Sequence, residues 1–320
     1  MLSNTISHQF FISGIFALSL PFILALSGCQ SDKSSTLGSG PAESIPGKGV
    51  NVYAAGDIAD CKKVKPANSG AAKTAALIEA RLANDPEAAV LSLGDHTYPI
   101  GLLDEFTSCY EPTWGRFKKR TYPTPGNHEY YTPKAVGYYS YFDEIAGPEQ
   151  RGYYSFRLGS WHVISLNSYL KPNEHQAQME WLKADLEKNK TRCTLAYWHH
   201  PLFSSGGHGS SPRMKDAWKL LVEAGADVVL SSHDHDYERF APQDENGRED
   251  GKRGMRQFVV GTGGAELTPF WFRKFNSEVS DNSSFGVLKL NLKPTGYEWE
   301  FLPVDEDGFR DRGAALCNAS

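Results

Sequence analysis

Apolar and polar positions fall into short runs along most of this chain, and the runs divide it into strands and helices. Val50–Ala55 (VNVYAA) is apolar and ends at Gly56-Asp57, as a buried strand feeding a loop does. Ala71–Asn84 carries helical spacing, with Leu77 and Arg81 four apart, and stops before Asp85-Pro86. Ala89–Leu93 is a second apolar run, again closed by Gly-Asp, so this stretch reads as a βαβ unit. Tyr153–Leu158 and Trp161–Leu166 flank Gly159-Ser160 in the manner of a hairpin. Helices are predicted over Gln176–Asn189 and Arg213–Glu223, followed by strands over Thr194–Trp198 and Asp227–Leu230. Later strands are predicted over Gln257–Val260, Val287–Leu292 and Tyr297–Leu302. No repeat of roughly 20–50 residues is visible, which excludes a solenoid. Strands mixed with helices to the end predict an α/β (or α+β) domain built on stacked sheets.

The amino-terminal pattern differs. No Asp, Glu, Lys or Arg precedes Asp32, and Phe10–Leu26 is apolar apart from Ser, Gly and one Pro. That is the length of a signal-peptide core rather than a membrane span. It ends in Leu26-Ser27-Gly28-Cys29, which resembles a bacterial lipobox, although the preceding residues include no Lys or Arg. The alternative is an ordinary cleaved signal peptide with an incidental cysteine; either way the protein is expected to leave the cytoplasm. Acylation of Cys29 would hold it to a membrane. Gln30 after the cysteine favours the outer membrane, with the protein facing the periplasm or the cell surface. The expected layout is a signal over residues 1–28, a Ser/Gly/Pro-rich tether over 29–48, a folded domain over 49–306 and a tail over 307–320.

Composition narrows the partners. With 33 Lys+Arg against 38 Asp+Glu the net charge is −5, which leaves no electrostatic footprint for nucleic acid. A 40% hydrophobic content excludes disorder as the main state.

Five segments place metal-competent groups at predicted strand ends: Gly56-Asp57, Gly94-Asp95-His96-Thr97-Tyr98, Gly126-Asn127-His128-Glu129, Trp198-His199-His200-Pro201 and Ser232-His233-Asp234-His235. Strand carboxyl ends are where an open α/β sheet builds its site. Carboxylate, amide oxygen and imidazole together suit a hydrolytic transition-metal centre, whereas structural zinc favours thiolates. The order and spacing of AGDIA, GDHTY, GNHE, WHHP and SHDHDYER resemble the calcineurin-like metallophosphoesterases, and among them the purple acid phosphatases in a compact bacterial form. Ser232 stands where that pattern has glycine.

The resemblance implies a four-layer α/β/β/α sandwich and a phosphomonoesterase with two metal ions sharing Asp95. Asp57, Tyr98 and His235 would complete the first set; Asn127, His199 and His233 the second. Hard anionic donors in the first set suit Fe(III), and the second suits a divalent ion: Fe(II), Zn(II) or Mn(II). The expected reaction is in-line attack by metal-bound hydroxide without a phosphoenzyme. His128 and His208 are the proton donors the family pattern suggests, with Glu129 orienting His128. Asp234 and Asp236 alternate with the ligands and are expected to point away. Arg239 and Glu238 are expected to pair. If Cys29 is acylated, the other four cysteines form an even set, and Cys61–Cys109 with Cys193–Cys317 is the favoured pairing. The rivals are a phosphodiesterase, nucleotidase or pyrophosphatase on the same site, and a catalytically silent surface-binding protein. The partner is expected to be a small phosphate ester; oligomeric state stays open.

Overall fold

Three apolar runs align in parallel to start the first sheet: strand β1 (Val50–Ala55) pairs with β2 (Ala89–Ser92), and β2 with β3 (Thr121–Pro123). Helix α1 (Gly70–Leu82) links β1 to β2 and is capped by Ser69, whose Oγ accepts the Ala72 N–H at 3.1 Å. This is a computed structural model, and it describes residues 45–318. The expected signal, Cys29 and all but the last residues of the tether lie outside the described residues. Among the described residues no helix is long and apolar enough to cross a membrane.

Short helices α2 (Leu103–Glu105), α3 (Asn127–Tyr131) and α4 (Val136–Phe142) occupy the stretch before the hairpin of β4 (Tyr154–Leu158) and β5 (Trp161–Ser165). Helix α5 (Pro172–Lys188) leads to β6 (Thr194–Tyr197), and α6 (Lys215–Glu223) to β7 (Val228–Ser231). Strands β8 (Tyr237–Phe240), β9 (Arg256–Val260) and β10 (Ser277–Asp281) complete the second sheet, in the order β10-β8-β9-β7-β6-β5-β4. Strands β11 (Gly286–Lys293), β12 (Gly296–Pro303) and β13 (Arg312–Leu316) extend the first, in the order β13-β12-β11-β1-β2-β3.

Alternation along the strands builds the layers. Val163, Leu195 and Val228 join Val52, Leu91, Leu288 and Trp299 in one buried core, while their neighbours Ile164, Ala196 and Val229 join Leu182, Trp218 and Leu221 in another. Successive side chains in a strand face opposite ways, so the first core lies between the sheets and the second beneath α5 and α6. The result is two mixed sheets flanked by helices, as expected. Parallel β1, β2, β3, β6, β7 and β9 bring their carboxyl ends to one pole.

Both margins of the expected domain differ from the sequence reading. Residues 307–320, set apart as a tail, contain β13, which pairs antiparallel with β12. Asp311 there is buried and accepts from Tyr237 Oη at 2.7 Å, Arg239 Nε at 2.6 Å and Trp299 Nε1 at 3.1 Å. Arg239 therefore pairs with Asp311 rather than with Glu238. Glu238 instead accepts the Ser205 N–H at 2.8 Å and the Ser277 hydroxyl at 2.5 Å. At the other margin Ile45, assigned to the tether, is buried, and its N–H donates to Glu298 at 3.1 Å. The disulfides are Cys61–Cys109 and Cys193–Cys317, the favoured pairing, with Cα atoms 5.9 and 5.5 Å apart. The second holds the residue after β13 against the start of β6.

Candidate metal centre

The five sequence segments meet at the pole where the parallel strands end, and their donor atoms form two adjoining groups. In the first, Tyr98 Oη donates to Asp57 Oδ1 at 3.0 Å, and His235 Nε2 lies 3.3 Å from the same oxygen and 3.2 Å from the Tyr98 hydroxyl. In the second, His199 Nε2 lies 3.1 Å from Asn127 Oδ1, 3.2 Å from His233 Nδ1 and 3.2 Å from Asp95 Oδ2. The groups are linked, since the His233 N–H donates to Asp57 Oδ2 at 2.8 Å. All seven expected ligands are thus together, while neighbouring His200 turns its Nδ1 to Ser168 Oγ at 2.9 Å.

The backbone carries strain here. Asp57, Asp95 and His233 have φ of 56°, 50° and 73°, the left-handed region that side-chain-bearing residues rarely adopt. Gly126 allows the segments to close up, because a Cβ there would collide with the Asp95 carboxylate.

Electrostatics follow from burial. Asp57 is fully buried, which opposes its charge, yet His235 outweighs this and holds its carboxyl below the usual range. Burial likewise opposes charge on His199 and His235, but Asp95 and Asp57 respectively raise them to about 9. His233 is pushed down to about 2 by burial and by His199. Burial, then Asp57 and Asp95, push the Tyr98 phenol well up. Asp95 and Asp57 thus favour positive charge at His199 and His235, the sign that a bound cation would supply.

The two expected proton donors stand at the rim. His128 is partly exposed; its Nδ1 bonds Pro99 O at 2.6 Å, which leaves Nε2 facing Asp95 Oδ2 at 3.8 Å. His208 is exposed, with its ring centroid 4.7 Å from that of His233. Asp234 does point away from the ligands, and it holds the His208 loop by accepting the His208 N–H at 2.6 Å, the Gly209 N–H at 3.1 Å and the Ser204 hydroxyl.

Glu129 departs from its expected part. It lies not on His128 but beneath it, accepting the N–H groups of Asp95 at 3.0 Å, His96 at 2.8 Å and Gly126 at 2.6 Å. The carboxylate pins two ligand-bearing loops to each other: its bond to the Gly126 N–H caps α3 locally, and its bonds to Asp95 and His96 are made across the fold.

Ser232 also has a defined part. Its hydroxyl donates to Leu93 O at 2.6 Å, and His199 Nδ1 lies 2.9 Å from both the Leu93 carbonyl and Ser232 Oγ. The carbonyl can only accept, so Nδ1 keeps a proton, and Nε2 is the nitrogen that would be free to ligate a cation once His199 is neutral. Gly56 makes room, since a Cβ there would collide with Ser232. Ser232→Ala should weaken divalent-metal binding about 10–100-fold, the usual effect of losing an outer partner of a ligating histidine. Competition against a chelating dye measures this, and an unchanged affinity would remove Ser232 from the site.

Comparison with known proteins agrees with this geometry. Residues 50–237 match the family described as calcineurin-like phosphoesterase. Purple acid phosphatase 21 of Arabidopsis thaliana is 31% identical over an aligned length of 214, with 58% of this chain and 48% of that protein covered. Human acid phosphatase type 7 is 30% identical over an aligned length of 262, with 69% of this chain and 58% of that one covered. The chain spans about half the length of the curated relatives it matches. The solved purple acid phosphatase from yellow lupin (Lupinus luteus) seeds superposes with a TM-score of 0.65 at 20% identity, covering 84% of this chain and 54% of that one.

Proposed function

The chain belongs to the calcineurin-like phosphoesterase family, and from that premise we propose that it is a purple-acid-phosphatase-like enzyme hydrolysing phosphate monoesters outside the cytoplasm. The observation that carries this reading is the convergence of Asp57, Tyr98 and His235 beside Asp95, Asn127, His199 and His233. The donor chemistry fits two cations. The positive charge that Asp95 and Asp57 favour at His199 and His235 would be supplied by metals, with both imidazoles neutral as ligation requires. The first group would hold Fe(III) and the second Fe(II), Zn(II) or Mn(II), with Asp95 shared. When bound, the metals supply Lewis acidity, stabilising charge on phosphoryl oxygens and lowering the pKa of water.

The chain's own residues do the rest. Asn127 and His199 are held by buried contacts, so their donor atoms are ordered before a ligand arrives. His128 is fixed through Nδ1, which makes Nε2 the atom able to hand a proton to a departing alkoxide. His208, in a loop anchored by Asp234, is the second candidate for that proton. The two disulfides support an oxidising compartment, consistent with export and with an anchor at Cys29.

Hydrolysis of aryl phosphate monoesters and diesters by metal-reconstituted protein tests the reaction. Preference for the monoester is expected; no turnover of either at full metal content would defeat the proposal. The iron assignment has its own measurement. The iron-loaded protein should show a broad visible band that Tyr98→Phe abolishes, and a colourless, active zinc enzyme would refute iron alone.

A further inference from the structure

Next to the metal centre, the loop between β9 and β10 exposes three large aromatic residues within five positions. Trp271, Phe272 and Phe275 are 69, 85 and 94% exposed, and Arg273 and Lys274 between them also face water. Exposed apolar groups clustered in this way mark binding surfaces.

The loop is fastened to the site at both ends. The Glu266 carbonyl lies 2.6 Å from His235 Nδ1, and the Thr268 N–H donates to His235 O at 3.0 Å. At the far end the Lys274 N–H donates to Ser205 Oγ at 2.7 Å, in the segment that leads to His208. Trp271 Nε1 lies 3.5 Å from where a Cβ of Gly207 would stand, an ordinary van der Waals distance, so the indole packs beside the backbone next to His208. From Trp271 the contacts run through Gly207 to His208, and from the His208 ring to those of His233 at 4.7 Å and His235 at 5.9 Å.

Resting on the phosphatase reading, we propose that this loop, led by Trp271, is a leaving-group subsite that selects phosphate monoesters of flat aromatic alcohols. A phosphoryl group at the donor cluster would direct its ester oxygen past His208, and a planar group on that oxygen would meet the indole. Stacking on an aromatic side chain recognises the flat face itself, without hydrogen-bond matching. Arg273 and Lys274 add positive charge at the approach of a phosphate dianion, in a chain whose net charge is −5. A bilayer is the less favoured occupant, because the loop is fastened at both ends to the segments that carry His235 and His208.

The test compares metal-loaded wild type, Trp271→Ala and Trp271→Phe on phenyl phosphate and glycerol 2-phosphate, with calorimetric binding of phenylphosphonate. Trp271→Ala should lower kcat/KM for phenyl phosphate about tenfold more than for glycerol 2-phosphate, mainly through KM, and weaken phenylphosphonate by a similar factor. Trp271→Phe should recover most of the preference. An equal loss on both esters would overturn the subsite and leave Trp271 a structural role. An unchanged ratio, with Trp271→Ala instead losing attachment to anionic phospholipid vesicles or self-association, would overturn it in favour of a bilayer or a second copy. If metal-loaded wild type hydrolyses neither ester, the phosphatase reading fails, and phenylphosphonate then decides the subsite alone. Binding that depends on Trp271 upholds it, and absent or Trp271-independent binding removes it.

Discussion

Asp95→Asn should cost this protein more activity than any other single substitution, with the fold intact. Asp95 is almost fully buried; its Oδ1 accepts the His128 N–H at 2.9 Å, and its Oδ2 faces His199 Nε2 at 3.2 Å. Asparagine keeps the size, can keep the bond from His128, and tolerates the left-handed backbone found there. It loses the negative charge that two cations would share. The loss of kcat/KM should exceed the roughly 10–100-fold that follows removal of an outer-shell partner. Bound metal should fall together with activity. Near-normal turnover with two metals retained would overturn the shared-ligand arrangement.

The second large effect is on stability. Glu129→Ala should destabilise the domain by about 3 kcal/mol or more, since it strands three buried N–H groups at roughly 1–3 kcal/mol each. For a domain of this size that is a fall of about 6–12 °C in Tm. The pH dependence gives an independent check. Burial opposes the Glu129 charge, but His96 and the N–H groups of Gly126 and His96 outweigh it and hold the carboxyl below its ordinary value of 4.5. A group depressed by folding stabilises above its unfolded pKa and loses that contribution as pH falls through its folded pKa. The gap in Tm between wild type and Glu129→Ala should therefore be widest near neutrality and narrow below about pH 4.5. A gap that does not change with pH would mean that the carboxylate charge contributes nothing.

Much of the centre was legible because its donors sit where strands end. Gly56-Asp57 and Gly94-Asp95 each follow a short apolar run, and a run that ends in a turn places its next polar side chain at the sheet's edge. The extended spacing of His233 and His235 said which pair could face one cluster, although His233 turned out to adopt a left-handed backbone. The region from Leu103 to Ala146 was not legible in the same way. Its helices are short and broken by kinks, so no apolar period develops, and Phe106, Tyr110, Trp114, Tyr138 and Phe142 are buried from every side. Strand β3 has three residues, too few for a pattern, and β13 was missed because Arg312–Leu316 lies at a sheet edge with no fully buried position.

What the sequence determined by itself is therefore the layered α/β plan, which follows from local runs, while the resemblance to a family supplied the expected donors and four cysteines left a favoured pairing. The tertiary structure alone decided how those donors are held. Glu129 is 34 residues from Asp95, Ser232 is 139 from Leu93, and Asp311 is 72 from Arg239. Local pattern dictates which positions are buried, because burial follows strand and helix periodicity. Which N–H or imidazole a buried carboxylate or hydroxyl then meets depends on how distant segments are stacked, and nothing in a neighbourhood of a few residues encodes that.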